Sequence, residues 1–136
     1  FRGGGVHVDS HYVLNSGAHD IFIGKRNFDN KWLWLTVIGG TGEEFVNDME
    51  LDHNDDILLV GTTDSAQLQV TTSSSTVTHT NAGSRDGFLT HLNASTGAIS
   101  WFNTIADTGI DNITGISQSS SGSISVCGWS TSSTLT

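Results

Sequence analysis

The acidic segment DHNDD, at residues 52–56, carries the residue types that bind calcium. Asp52, Asn54 and Asp56 have the D-x-N-x-D spacing of a calcium-binding loop, in which side-chain oxygens coordinate the ion. Such a loop requires glycine at its sixth position and glutamate at its twelfth, where this chain has Ile57 and Thr63. Asn and Asp are also typical turn residues. We therefore predict a hairpin turn and no cofactor, with a calcium site as the alternative.

A second set of potential metal ligands lies in HVDSH, near the start of the sequence. His7, Asp9 and His11 alternate along the chain, so on a strand all three side chains would lie on one face. Two imidazoles and a carboxylate can bind zinc and leave a position open for hydrolysis. The sequence contains no further ligand cluster beside them. We interpret these residues as the polar face of a linker strand.

Motifs for catalysis are missing, whereas two motifs for glycosylation are present. The sequence contains neither a Gly-x-Ser-x-Gly elbow nor a His-Glu-x-x-His motif, and we predict that the protein is not an enzyme. Asn93 and Asn112 begin N-glycosylation sequons. We expect Asn93 to be exposed in a hairpin turn, and Asn112 to be less accessible because it lies near a strand.

The composition excludes several classes of partner. The 136 residues carry a net charge of −9 with only 5 Lys and Arg, so no basic surface is available for nucleic acid. No apolar stretch reaches the ~20 residues that cross a bilayer, and we expect no membrane insertion. The single cysteine, Cys127, excludes an internal disulfide, and its apolar neighbours in SISVCGW predict a buried, inert thiol.

The elements that would position these residues form a tandem repeat. Asp20 aligns with Asp86 and Phe22 with Phe88 at a spacing of 66, and the register then shifts by one residue and continues to the end. Trp34 aligns with Trp101, and Glu44 with Asp111, at a spacing of 67. We predict that the two phenylalanines, and likewise the two tryptophans, occupy equivalent buried positions.

Each repeat contains four segments with the alternation and β-rich composition of strands, and the two units span about 1–65 and 66–136. Ser and Thr make up roughly a quarter of the chain, proline is absent, and helical stretches are missing, so an all-β fold is expected. The predicted strands are 20–26, 31–38, 44–52 and 57–63 in the first repeat, and 86–92, 99–105, 111–118 and 123–129 in the second. The polar stretch 64–83 contains LQVT, a possible additional strand.

Four short antiparallel strands per repeat are typical of a β-propeller blade. The first repeat resembles the bacterial β-propeller repeat family known as SBBP, in the order D-x-F-x-x-K, W, GG-x-G-x-E, D-x-x-x-x-I-x-x-x-G-x-T-x-S. The second repeat keeps much of this pattern but has Ala106-Asp107 at the double glycine. The matching residues are Asp20, Phe22, Lys25, Trp34, Gly39, Gly40, Gly42, Glu44, Asp52, Ile57, Gly61, Thr63 and Ser65, and then Asp86, Phe88, Trp101, Gly109, Asp111, Ile124, Gly128 and Ser130.

The resemblance implies two tandem four-stranded blades of a large, secreted or surface-attached modular protein without enzymatic activity. Adhesion or extracellular assembly, including filament formation, is the expected function. The alternatives are a carbohydrate-active propeller, or a calcium-dependent binding propeller, that is completed by further blades. Two blades leave sheet faces and edges uncovered. We therefore expect a piece of a larger assembly that pairs with identical subunits or further repeats, with extracellular glycans as possible ligands.

Overall fold

The computed structural model describes residues 4–8, 11–72, 75–81 and 84–134, and of Val6, Val8, His11 and Val13 it describes only the backbone. The described residues form twelve strands and no helix, which confirms the all-β prediction. The strands are β1 (Val6–Val8), β2 (His11–Val13), β3 (Ile21–Arg26), β4 (Trp32–Gly39), β5 (Glu44–Leu51), β6 (Ile57–Thr63), β7 (Gln67–Thr71), β8 (Thr76–Thr80), β9 (Asp86–Leu92), β10 (Ile99–Ile105), β11 (Asp111–Gln118) and β12 (Ile124–Ser130).

The eight strands that the repeat predicts all occur, and each begins and ends within one residue of its predicted bounds. LQVT lies in β7, and β8 follows it as the second strand of a hairpin. The sequence did not predict β8, because its alternating Thr, Val and His residues lie in a polar stretch that is typical of a linker.

All sheets are antiparallel, but their strands are not combined as expected. The first sheet has the order β3-β4-β7-β8, the central sheet has the order β10-β9-β6-β5, and the third sheet pairs β11 with β12. β1 and β2 form a separate hairpin. The prediction that the four strands of one repeat form one sheet is therefore wrong. The central sheet instead joins the last two strands of the first repeat to the first two strands of the second.

The Gly-rich segment after β4 explains the difference. Two strands separated by GGTG have the pattern of a hairpin, but here the segment carries the chain from the first sheet into the central sheet. An added Cβ on Gly40 would collide with Ser65, and one on Gly42 with Asp64, so glycine is required for this close approach. The edge of β4 is then free, and β7 pairs with it.

The central sheet lies between the other two sheets. Along β6, Ile57 and Leu59 pack with the first sheet, whereas Leu58 and Val60 pack with the third, so every residue of the strand is buried. Burying apolar area on both faces makes this sheet the centre of the fold. The first interface contains Ile21, Ile23, Trp34, Ile38, Leu68 and Val70 opposite Ile57, Leu59, Phe88 and Leu92, and the second contains Ile113 and Ile116 opposite Leu58 and Val60.

The equivalence of the repeated aromatic residues holds for their direction but not for their burial. Trp34 is 4% exposed in the first interface, and Trp101 is partly buried against the second. Phe88 is fully buried, whereas Phe22 is 49% exposed, so the prediction of equal burial is wrong for the phenylalanines. Phe88 faces the first sheet. Phe22 lies on the opposite face of β3 from Ile21 and Ile23, which pack against the central sheet, so the central sheet does not bury it.

Cys127 is likewise exposed although burial was predicted, because the face on which it lies is not packed against the central sheet. Its thiol is exposed, although its counterpart in the first repeat, Val60, is fully buried. Val60 packs against the third sheet, but within the described residues no further sheet covers the outer face of β12. An apolar sequence context indicates a face that can be buried, and the covering layer decides whether it is.

Candidate functional site

A buried acidic residue with hydroxyl partners links three segments of the first repeat. Glu44, 2% exposed, accepts hydrogen bonds at Oε1 from Thr63 Oγ1 at 2.7 Å and Ser65 Oγ at 2.6 Å. Its Oε2 accepts the backbone N–H of Gly40 at 3.0 Å. Burial raises the pKa of Glu44 above its ordinary value, and these hydrogen bonds only partly oppose the shift.

The second repeat has the same arrangement, with aspartate in place of glutamate. Asp111, 1% exposed, accepts Ser130 Oγ at Oδ1, and at Oδ2 it accepts Ser132 Oγ at 3.1 Å and the backbone N–H of Asp107 at 2.9 Å. Burial alone would raise the pKa of Asp111, but the three hydrogen bonds outweigh it and hold the pKa below its ordinary value. The repeated acid and hydroxyl positions in the sequence were the signal for this cluster.

Asp20 adds a second buried carboxyl next to Glu44. It is 2% exposed, and its Oδ2 accepts the backbone N–H of Ser16 at 2.7 Å. Burial raises its pKa against the opposing hydrogen bond from Ser16. Neighbouring carboxyls with raised pKa values can share a proton, which is an arrangement used in acid–base catalysis. Because both side chains are shielded from solvent and Glu44 bonds three other groups, we infer that they fix the start of β3 against β5 and β6.

The segment of the calcium candidates forms a turn, as the sequence predicts. Asp52 Oδ1 accepts the backbone N–H groups of Asn54 at 2.7 Å and Asp56 at 2.9 Å, and Asp55 has a φ of 63°. The side-chain Nδ2 of Asn54 lies 3.1 Å from His53 Nε2. The structure thus brings Asp52 and Asp56 together, and Asn54 contributes its backbone N–H to Asp52.

His91 joins the two aspartates, and the sequence analysis did not identify it as their partner. One ligand atom from each of Asp52, Asp56 and His91 lies within 4.8 Å of the others. His91 Nε2 lies 3.1 Å from Asp52 Oδ2, and Asp56 Oδ1 accepts the backbone N–H of Ala94 at 2.7 Å. Hydrogen bonds from Asn54, His91 and Asp56 outweigh burial and lower the pKa of Asp52. The group therefore connects the β5–β6 turn to β9 and the turn after it.

The remaining candidates are the sequon asparagines and the HVDSH residues, and of these Asn93 adjoins the group, because its Nδ2 donates to Asp56 Oδ1 at 3.5 Å. Asn93 is only partly exposed, contrary to expectation, because its Oδ1 accepts the N–H groups of Ser95 and Thr96 inside the turn. Asn112 is also partly exposed, and its Oδ1 accepts Asn47 Nδ2 at 2.7 Å. His7 is exposed, while Asp9 and the side chain of His11 lie outside the described residues.

In the part of the chain that the structure describes, no helix could span a membrane.

Strands β12 and β3, at opposite ends of the fold, each leave one edge unpaired within the described residues. β12 pairs only with β11, and β3 pairs only with β4. Every residue of β12 from 124 to 129 is exposed, although the equivalent strand β6 is buried throughout. Ile124, Val126 and Trp129 are 38%, 39% and 51% exposed. Open backbone donors and acceptors beside exposed apolar side chains form a surface to which another strand can be added.

By contrast, acidic side chains cap the edge of β11. Asp48 Oδ2 accepts the backbone N–H of Ile116 at 3.2 Å, and Glu50 Oε2 accepts that of Gln118 at 2.8 Å. Both acids belong to β5 of the central sheet. These hydrogen bonds occupy two of the backbone donors that an added strand would need on β11, whereas no such cap is seen on β12 in the described part of the chain.

A cavity of about 290 Å³ lies between the open strand and the central sheet. Ile105 lines it from β10, Ile113 from β11, and Val126 and Gly128 from β12.

Comparison with known proteins finds no matching family model, no matching curated protein and no matching solved structure. The resemblance to SBBP repeats therefore stays a prediction.

Proposed function

We propose that this chain is a non-enzymatic structural module of β-propeller-type repeats, secreted or attached to a cell surface, that acts in adhesion or extracellular assembly. Its layers are continued by identical subunits or by further repeats of the same polypeptide. The observation that carries the proposal is the central sheet, because two strands of each repeat complete it. A repeat of this kind is stable only when a neighbour supplies the missing strands.

The open ends support the proposal. The second repeat has no successor among the described residues, and its β12 is exposed where β6 is buried. The first repeat has no predecessor there, and its Phe22 is exposed where Phe88 is buried. Four-stranded antiparallel sheets that pack face to face are also the organisation of propeller blades.

The use of the acidic residues supports a structural role over a catalytic one. Glu44 and Asp111 are buried and bonded to hydroxyl and backbone donors, and Asp52 and Asp56 hold turns. The acidic, Ser- and Thr-rich composition and the resemblance to SBBP repeats favour an extracellular location.

Sedimentation velocity over a hundredfold range of protein concentration tests the proposal. We expect species heavier than the 14.4 kDa chain, with a size that increases with concentration. A compact, cooperatively melting monomer at every concentration would contradict self-association. Hydrolysis of a panel of glycans and esters tests the enzymatic alternative, and turnover that disappears when one carboxylate is replaced would contradict the structural role.

A further inference from the structure

The junction between the two repeats shows how one repeat receives the next. β6 pairs with β9 in a continuous antiparallel register that places Gly61 opposite Phe88 and Val60 opposite Leu89. The Phe88 ring lies directly on Gly61, since a Cβ on that glycine would be 2.5 Å from the ring. At this junction, the acceptor is the fourth strand of one repeat, which carries the glycine. The donor is the first strand of the next repeat, which carries the phenylalanine.

β12 has the acceptor features without a donor. Gly128 occupies the position of Gly61, but the three atoms nearest to its missing Cβ belong to the backbone of Asn112 and Ile113, and none belongs to an aromatic ring. The cavity of about 290 Å³ beside Gly128 is lined by Ile105 and Val126, the counterparts of Ile38 and Leu59 that surround Phe88 at the internal junction.

β3 has the donor features, and among the described residues it pairs only with β4. Phe22, in the position of Phe88, is 49% exposed. Met49 and Leu51 of β5 lie across a groove from Ile23 and are 53% and 54% exposed. Ile116, the counterpart of Met49, is buried at the second interface against β6, the strand that pairs with β9. A strand paired with β3 would cover Met49 in the same way.

We propose that β3 of a second copy of this chain pairs antiparallel with β12, in the register of the internal junction. Phe22 then lies on Gly128 in the cavity, and Ile23 lies opposite Cys127. This inference rests on the proposed function and specifies its interface. Because each copy has one donor and one acceptor, the contact is head-to-tail and produces a ring if it closes or a filament if it does not.

The geometry of the chain excludes the intramolecular contact and disfavours the edges of β11 and β8. β3 and β12 belong to sheets on opposite sides of the central sheet, so they cannot pair within one copy. Asp48 and Glu50 cap the edge of β11. The outer strand of the first sheet, β8, presents mainly threonine hydroxyls, and it has no phenylalanine to fill the cavity.

Disulfide cross-linking to the native Cys127 tests the register. The donor is the variant Ile23→Cys that also carries Cys127→Ser, and the acceptor is the unchanged chain. Directly opposite residues have Cα atoms about 4.5–5.5 Å apart, which a disulfide spans, whereas diagonal neighbours lie about 7–8 Å apart. Under mild oxidation we expect a donor–acceptor dimer on a non-reducing gel. The matched controls are Ile21→Cys and Lys25→Cys in the same Cys127→Ser background, and each should cross-link at least fivefold less.

The outcomes separate this inference from the proposed function. Cross-linking that is strongest at position 21 or 25, or a donor–donor disulfide, overturns the register while association remains. Association in sedimentation without any cross-link to Cys127 has the same consequence. A protein that stays monomeric at all concentrations overturns both the interface and self-assembly.

A second variant keeps the test independent of the buried Ile23. Phe22→Ala removes a half-exposed ring, so the chain should still fold, and we expect the dissociation constant of the assembly to rise at least tenfold. Phe28→Ala is the control, because Phe28 is fully exposed in the turn between β3 and β4. Equal dissociation constants for the two variants would overturn the placement of Phe22 in the cavity.

Discussion

Phe88 and Phe22 occupy the same position in the two repeats. Replacing each by alanine therefore measures how much a covering sheet contributes to the free energy of unfolding. Phe88 is fully buried, and its loss removes the transfer free energy of the ring and leaves a cavity, which together cost about 3–5 kcal/mol of unfolding free energy. Phe22 is 49% exposed and opens to solvent, so about half of the ~1.5–3 kcal/mol transfer term is lost and no closed cavity forms. The predicted difference is at least about 1.5 kcal/mol.

Urea titrations followed by tryptophan fluorescence measure both losses, at two protein concentrations a hundredfold apart. The loss for Phe88→Ala should be the same at both concentrations. The loss for Phe22→Ala should be small in dilute protein and larger in concentrated protein, where association buries the ring. If Phe88→Ala prevents folding, Phe88→Leu provides a smaller loss for the same comparison. Equal losses for the two positions in dilute protein would refute the reasoning, because they would show that both faces are covered in the single chain.

Four further predictions concern the buried acids, the calcium candidates and Cys127. Because burial raises the folded-state pKa of Glu44, its contribution to stability is complete below about pH 4.5 and decreases as the pH rises, so Glu44→Gln should gain stability relative to the unchanged chain towards neutral pH. The folded-state pKa of Asp111 is lowered, so the loss of stability caused by Asp111→Asn should be largest at neutral pH and should decrease below about pH 3.8. Thermal melts of both variants from pH 3 to 7 test these assignments, and parallel changes in their melting temperatures would contradict them. The melting temperature should not change with added Ca²⁺ or EDTA, since hydrogen bonds already engage Asp52 and Asp56, and a rise with Ca²⁺ alone would restore the calcium alternative. Cys127 should react rapidly with a thiol reagent in dilute, folded protein and slowly in the assembly, and a rate that is independent of concentration would place it outside the interface.

The sequence was sufficient to predict the strands but not their partners. Alternating residues such as those of IFIGKR and DGFLTH determine the strand segments, since the pattern is local. Pairing depends on the path of the chain after Gly39, where a Gly-rich segment fits a hairpin and a change of sheet equally well. Adjacent strands in sequence usually pair, and here the exception reassigned two strands of each repeat to a neighbouring sheet.

Burial and the acidic clusters show the same division between local and distant information. The aligned positions of Glu44 and Asp111 and of their hydroxyl partners could be read from the repeat, but their hydrogen bonds could not. The group of Asp52, Asp56 and His91 has no counterpart in the second repeat, so the repeat gave no signal for it. The exposure of Phe22 and Cys127 depends on layers outside their own strands, which no local pattern encodes.

Hydrogen exchange of the β12 amides at low and high protein concentration tests the central claim most directly, because it reports whether association completes the open edge. We predict that the β12 amides that do not bond to β11 are weakly protected in dilute protein and become strongly protected as the protein associates, together with the β3 amides that do not bond to β4. Those of residues 57–63 should be protected at both concentrations, because β6 is paired on both edges. Association that leaves the exchange of residues 124–130 unchanged would contradict the claim that the repeats continue through β12.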